Sequence, residues 1–158
     1  MTDDQPDEFW QGVEQFNQRQ FYACHDTLEA IWMEASEPDR KFYQGILQIA
    51  VALYHLGNQN WQGAVVLMGE GMNRLRDYQP DYGGIDVAGF LAQTAEILKI
   101  LQEAGPDQVA AIAQQLGYSP PGNGQEAAGA ETIQASISAL PTLQKISTQS
   151  PFPPLPNL

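Results

Sequence analysis

The sequence predicts an all-α protein, a compact bundle of about five helices arranged as two stacked helical hairpins plus one. Through the first hundred residues, apolar side chains recur every three or four positions, which is the spacing of amphipathic helices. Proline, glycine and asparagine interrupt this pattern at intervals of one helix length. Few segments show the alternation typical of strands, so helices should form the core.

Each predicted helix has a start signal, an end signal or both. Pro6, after a potential cap at Asp4, favours a first turn, and Pro38 ends the second helix. Gly57 with Asn58 ends the third, and Asp86 is a potential cap for the fifth. The five predicted helices cover about residues 6–19, 21–37, 39–56, 61–78 and 86–105.

An internal repeat is suggested at an offset of about 40 residues, the scale of a two-helix unit. Each unit has a helix, a polar turn, a bulky aromatic residue, a small residue three positions later and then an apolar one. The aligned pairs are Phe16 with Leu56, Phe21 with Trp61, Cys24 with Ala64, and Leu28 with Met68. Chance alignment of amphipathic helices is the alternative.

The character of the chain changes after Gly105, so the predicted division is a helical domain over 1–105, an appended short helix over 106–118, and a tail over 119–158. The tail combines a linker, a weak helix from Glu131 to Ile146 that Pro141 interrupts, and the proline-rich end SPFPPLPNL. We expect this tail to be flexible, and its proline-rich end either binds a groove, in trans or on this domain, or is a disordered terminus.

Composition excludes several functions. A formal net charge of −12, with 19 acids against 7 lysines and arginines, argues against a nucleic-acid-binding surface. The longest apolar run is too short and too polar to span a membrane, and the N-terminus lacks the features of a secretion signal. The expected location is therefore the cytoplasm. Cys24 cannot form an internal disulfide and is expected to be a small buried side chain.

Polar residues on the second and third predicted helices form the candidate site. His25, Glu29 and Trp32 share one face of the second helix. Gln44, Gln48 and His55 form a stripe on the otherwise apolar third helix. If these helices are antiparallel, His25 approaches His55, Trp32 lies near Gln44 and Glu29 lies near Gln48, with Tyr43 at the edge of the cluster. These seven residues are the predicted ligand-binding residues.

Three interpretations of this cluster remain open. It could be a structural polar network that fixes helix packing. It could be a divalent metal site of His25, Glu29 and His55, since two imidazoles and one carboxylate suit zinc or iron. It could also be a pocket for a small molecule or peptide, in which His25 and Glu29 are the candidates for acid–base catalysis. No nucleophile is identified, and the glycine-rich phosphate loops, GxSxG and CxxC are absent.

As a combination, these residues resemble the "domain of unknown function 309" family over about residues 9–101. That family combines a Phe-Asn turn, a His-acid-x-x-Glu-x-x-Trp helix, a QGLIQ-type helix ending near a histidine and Gly-Asn, a GA-x-x-L helix and a G-[IV]-D turn. The matching residues are Phe16, Asn17, His25, Asp26, Glu29, Trp32, Gln44, Gly45, Gln48, His55, Gly57, Asn58, Gly63, Ala64, Leu67, Gly84 and Asp86. Asp26 stands where glutamate is usual. The resemblance implies an all-α fold and supplies no activity.

The sequence therefore favours a non-enzymatic binding or scaffold module without a cofactor. Its expected partner is another protein or a second copy of the chain. The alternative is a metal-dependent or acid–base enzyme of hydrolase type centred on His25, Glu29 and His55.

Overall fold

A computed structural model describes residues 5–118 and 140–146, and within them the protein is predominantly helical. The six α-helices are α1 (Asp7–Asn17), α2 (Phe21–Glu34), α3 (Asp39–Gly57), α4 (Trp61–Leu75), α5 (Val87–Ala104) and α6 (Val109–Gln115). Short 3-10 turns at Arg76–Tyr78 and Pro106–Gln108 follow α4 and precede α6. An antiparallel hairpin of β1 (Asp81–Tyr82) and β2 (Ile85–Asp86) precedes α5. The predicted all-α class is confirmed, and this hairpin is an addition to it.

The hairpin and α5 begin as local sequence chemistry requires. Gly83 and Gly84 both have positive φ, which the two-residue turn between twisted strands favours. The predicted cap at Asp86 is confirmed, because its Oδ1 accepts a hydrogen bond from the Gly89 N–H at 3.0 Å. The other proposed cap, Asp4, lies outside the described residues.

Helices α1 and α3 each end in a turn of the same type, and the two turns lie 40 residues apart in the sequence. The N–H of Gln20 bonds to the carbonyl of Gln15 at 2.8 Å, and the N–H of Asn60 bonds to that of His55 at 2.8 Å. Between each pair lies a left-handed residue, Arg19 with φ 68° or Gln59 with φ 63°. This pattern is the Schellman helix ending. The two hairpins thus share backbone geometry at the offset of the predicted repeat.

Helix α3 is the centre of the molecule and packs on α2 on one side and α4 on the other. Its contact with α4 is close because Gly45 and Gly71 face each other across the crossing. A side chain at Gly71 would lie 2.8 Å from the Gly45 carbonyl oxygen, so both helices need glycine there. Near its start, α3 also packs on α1, because Phe42 and Tyr43 contact Phe9.

Residues 140–146 are extended and lie against the helical domain. Leu140 and Leu143 are buried, with 5% and 2% of their surface exposed. The helix predicted for Glu131 to Ile146 is therefore wrong over residues 140–146, where backbone bonds to the β-hairpin and to side chains of the domain replace helical ones. This part of the tail is packed, contrary to the flexible tail predicted from composition.

Candidate functional site

Contacts at both ends show that α2 and α3 are antiparallel. Tyr22 at the start of α2 lies against Tyr54 near the end of α3, with ring centroids 5.3 Å apart. Trp32 near the end of α2 lies beneath the Arg40 guanidinium at the start of α3, at 4.2 Å from the ring centroid. The two helices therefore run side by side in opposite directions. We call the polar residues that the sequence predicts on them the α2–α3 face, although Gln48 and His55 make their contacts with α4, at Glu70 and Gly63. Its members are His25, Glu29, Trp32, Gln44, Gln48 and His55.

His25 lies between two carboxylates of its own helix. Its Nε2 is 3.7 Å from Glu29 Oε1, one turn later, and its Nδ1 is 3.3 Å from Asp26 Oδ1. The side chain is 25% exposed, yet Nδ1 is buried and accepts or donates no hydrogen bond within the part of the chain that the structure describes. The Tyr22 ring packs on the imidazole at 5.7 Å between centroids. His25 is thus held by residues of its own helix, and its Nδ1 has an ion-pair contact with Asp26 but no hydrogen bond among the described residues.

Two further buried polar atoms on this face make no hydrogen bond with any described residue. They are the indole N–H of Trp32 and the amide oxygen of Gln48. The other end of the Gln48 amide bridges to α4, because its Nε2 donates to Glu70 Oε1 at 3.2 Å. A buried donor or acceptor without a partner costs about 1–3 kcal/mol. Such atoms in a folded protein call for a bound group or water that completes them.

His55 and Gln44 lie along the same outer side of α3. His55 Nδ1 is 3.3 Å from Asn60 Nδ2, and its ring packs against Gly63 at the start of α4. Gln44 is half-buried, one turn before Gln48. Within the described residues, the metal-ligand atoms that gather within 4.8 Å of one another belong to His25, Asp26 and Glu29, and His55 is not among them.

Tyr43 points away from the α2–α3 face. It is buried against Phe9 of α1, and its hydroxyl donates to Gln5 Oε1 at 2.6 Å. Burial raises the pKa of Tyr43 to about 12, with the nearby Asp39 charge adding to the effect. A proton held this firmly suits a structural hydroxyl, and Tyr43 belongs to the α1–α3 contact.

Sequence reasoning missed several residues of this region. Tyr22 and Tyr54 are 57% and 40% exposed and extend the face with a pair of aromatic rings. Glu70 supplies the partner of Gln48 from α4. Tyr22 could have been found from its position one turn before His25, because residues three apart share a helix face. The Glu70 contact depends on how α3 crosses α4, which no local pattern reveals.

Cys24 is fully buried, as predicted, and burial raises the pKa of its thiol to about 12. The thiolate, which is the reactive form, is therefore disfavoured near neutral pH. The described helices include none with the length and apolar character needed to cross a bilayer.

The signature residues on α1 to α4 agree with a comparison against protein families. Residues 9–67 match the family of domains of unknown function DUF309. The resemblance predicted from the sequence is thereby confirmed over this segment, which contains every residue of the α2–α3 face. The DUF309 match stops within α4, before the β-hairpin and the extended residues 140–146.

Curated relatives share part of the chain. An uncharacterised Bacillus subtilis protein, YpuF, is 34% identical over 85 residues, covering 53% of this chain and 46% of its own. An uncharacterised protein of Aquifex aeolicus is 23% identical over 95 residues, covering 60% of this chain and 28% of its own. This chain thus spans less than half the length of either relative. No solved structure matches it.

Proposed function

We propose that this protein is a non-enzymatic binding module of the cytoplasm and that the α2–α3 face holds a partner protein. The observation that carries the proposal is the set of three buried polar atoms that make no hydrogen bond within the described residues, on Trp32, Gln48 and His25, the last of which has only an ion-pair contact with Asp26. A partner that completes their hydrogen bonds would remove a cost that the free protein bears, and this gain appears as binding energy. A purely structural network would satisfy these atoms within the fold.

The chemistry of the face favours a partner with basic and hydrogen-bonding groups. Asp26, Glu29 and Glu70 place carboxylates around the unpaired atoms, within a chain of net charge −12. The exposed rings of Tyr22 and Tyr54 add aromatic surface, which is common where proteins associate. Added salt should therefore weaken the complex, because exposed charges are screened.

Two substitutions test this face with little change in shape. Trp32→Phe removes the indole N–H and keeps an aromatic ring, and Gln48→Met removes the amide and keeps the chain length. Partner proteins are captured with the wild-type chain, identified, and retitrated as purified components. We expect each substitution to weaken binding at least fivefold, while Gln102→Ala, an exposed change on α5, leaves it unchanged. Equal binding by all four proteins would exclude the α2–α3 face. Sedimentation of the purified chain tests a second copy as the partner.

The second candidate function is a metal-dependent or acid–base enzyme, favoured by the proximity of His25, Asp26 and Glu29. One feature weighs against a single-ion site. The two carboxylates lie at different nitrogens of the same imidazole, Nδ1 and Nε2, whose lone pairs point in different directions. One ion could use the ring and both acids only after a side chain rotates. A zinc or iron site would also have to form without His55.

Metal analysis of untagged protein distinguishes these candidates. Stoichiometric zinc, iron or manganese that disappears in His25→Ala would favour the metal site over the binding module. If the protein is a binding module, the metal content of the wild type and of His25→Ala should be the same. A chelator should then leave the affinity for the partner protein unchanged.

A further inference from the structure

The extended residues 140–146 are held by a signature residue of α1. The Asn17 side chain donates from Nδ2 to the Leu143 carbonyl at 3.0 Å, and its Oδ1 accepts from the Leu143 N–H at 2.8 Å. Both contacts are with backbone atoms, so Asn17 recognises an extended chain at this position whatever side chain it carries. A single amide that satisfies both polar groups of one residue is a two-point clamp.

The other edge of the segment pairs with β2. The Asp86 N–H bonds to the Gln144 carbonyl at 2.9 Å, and the Ile146 N–H bonds to the Gly84 carbonyl at 2.8 Å. These bonds surround an antiparallel bridge between Ile85 and Lys145. The segment therefore adds a strand to an otherwise open sheet edge, as peptides do in strand-addition complexes. Gln93 of α5 accepts a further bond from the Thr142 N–H at 2.9 Å.

Side chains supply the selectivity that these backbone bonds lack. Leu140 and Leu143 are buried in the domain core, and Lys145 lies over the Trp10 ring with Nζ 4.7 Å from the centroid. Gly84 allows this arrangement, because its φ is 83° and a Cβ there would lie 3.0 Å from the Trp10 ring. The required ligand is an extended peptide with two leucines three residues apart and a cation two residues after the second.

Among the described residues, the groups that hydrogen-bond to the segment or stack on it lie between Trp10 and Gln93, on α1, the β-hairpin and α5. They are Trp10, Asn17, Gly84, Ile85, Asp86 and Gln93, and we call this surface the groove. We infer that the groove is a peptide-binding site and that residues 140–146 are its tethered ligand. This site is separate from the α2–α3 face. The evidence for it is that the domain hydrogen-bonds the backbone of residues 140–146, which are distant from it in sequence.

Tethering determines how such a site behaves. A ligand on the same chain binds intramolecularly, so a free peptide of equal intrinsic affinity competes poorly at concentrations below the effective concentration of the tethered one. The wild-type groove should therefore be closed to weak ligands. It should open when the tethered segment loses its two leucine anchors.

The test uses the full chain and a labelled synthetic peptide, SALPTLQKIST, the sequence of residues 138–148. A released variant, Leu140→Asp with Leu143→Asp, leaves every groove residue intact. Fluorescence anisotropy should show saturable binding to the released variant and at least tenfold weaker binding to the wild type. Adding Asn17→Ala to the released variant should weaken binding at least tenfold, and a peptide with aspartate at both leucines should not bind.

A released variant that keeps its circular dichroism and melting transition but binds no peptide would overturn the inference. So would binding that is indifferent to Asn17→Ala.

Hydrogen exchange of the wild-type chain covers the case in which the released variant does not fold. The amides of Leu143, Ile146 and Asp86 should exchange together, at least tenfold faster than buried amides of α3, because the segment leaves while the domain stays folded. Exchange of these amides only at the rate of global unfolding would make the segment an integral part of the core and exclude a displaceable ligand.

Discussion

The groove and the α2–α3 face both contain residues of the family-matched segment, Asn17 in the groove and all six members of the face, but they differ in how their polar atoms are satisfied. In the groove, Asn17 uses both ends of its amide on the backbone of Leu143. On the α2–α3 face, Gln48 uses one end of its amide on Glu70 and leaves the other end buried without a partner. Within the described residues, the amide of Asn17 is thus fully hydrogen-bonded by the chain segment that lies over it, whereas the amide of Gln48 is only half hydrogen-bonded.

This difference predicts that the two regions affect different measured quantities, the free energy of unfolding for the groove and the affinity for a partner for the α2–α3 face. A satisfied buried amide contributes to the free energy of unfolding, because its removal leaves backbone groups unpaired. An unsatisfied one costs stability in the free protein and returns that energy when a partner group completes its hydrogen bonds. Substitutions in the groove should therefore lower stability, whereas matched substitutions on the face should lower affinity.

The largest effect is expected for Leu143→Ala in the segment. Leu143 is 2% exposed, and truncating a buried leucine costs about 3 kcal/mol of the free energy of unfolding. Urea denaturation measures the loss, with Gln144→Ala, an exposed neighbour, as the matched control. A loss below about 0.5 kcal/mol in Leu143→Ala would mean that the segment contributes nothing to the folded state.

Asn17→Ala is expected to cost about 2 kcal/mol, because two hydrogen bonds of about 1 kcal/mol each disappear. Asn58→Ala, a change at an exposed asparagine after α3, should cost less than about 0.5 kcal/mol. The same denaturation measurement serves for both. Equal losses in the two variants would mean that the clamp on Leu143 adds nothing.

The sequence also predicts the α2–α3 face better than it predicts the groove. Helix periodicity and the His25, Glu29 and Trp32 spacing identify one side of the α2–α3 face, because residues on one helix have a fixed angular relation. Asn17 and Gly84 are recognisable as signature residues, but their joint role is not, since it depends on a segment more than a hundred residues after Asn17. Composition even predicts that this segment is flexible, because composition does not register pairing with a distant strand.

Tyr43→Phe tests a polar group that the fold satisfies on the opposite side of α3. Loss of the hydroxyl bond to Gln5 should cost about 1 kcal/mol near neutral pH. Burial raises the pKa of Tyr43 in the folded state to about 12, against 10.0 in a model compound. The unfolded chain therefore loses this proton first, and the free energy of unfolding falls as pH rises above about 10.

Denaturation between pH 8 and 11 should show this fall in the wild type and a shallower one in Tyr43→Phe. Tyr118 contributes in the same direction, because burial also raises its pKa while its hydroxyl donates to the Leu53 carbonyl at 2.7 Å. Identical slopes in the two proteins would mean that Tyr43 titrates normally in the folded state.

The smallest effect, and the one that separates the two regions most sharply, is expected for Gln48→Met. The substitution removes a buried amide oxygen that has no partner, and it also removes an exposed bond to Glu70 that is worth little. Methionine fills the same length with a flexible apolar chain. The free energy of unfolding should therefore stay within about 0.5 kcal/mol of the wild type or rise slightly, in contrast to the loss in Asn17→Ala. A loss above about 1 kcal/mol would show that the Gln48 oxygen is satisfied within the folded protein, and the argument for a partner on the α2–α3 face would lose one of its three atoms.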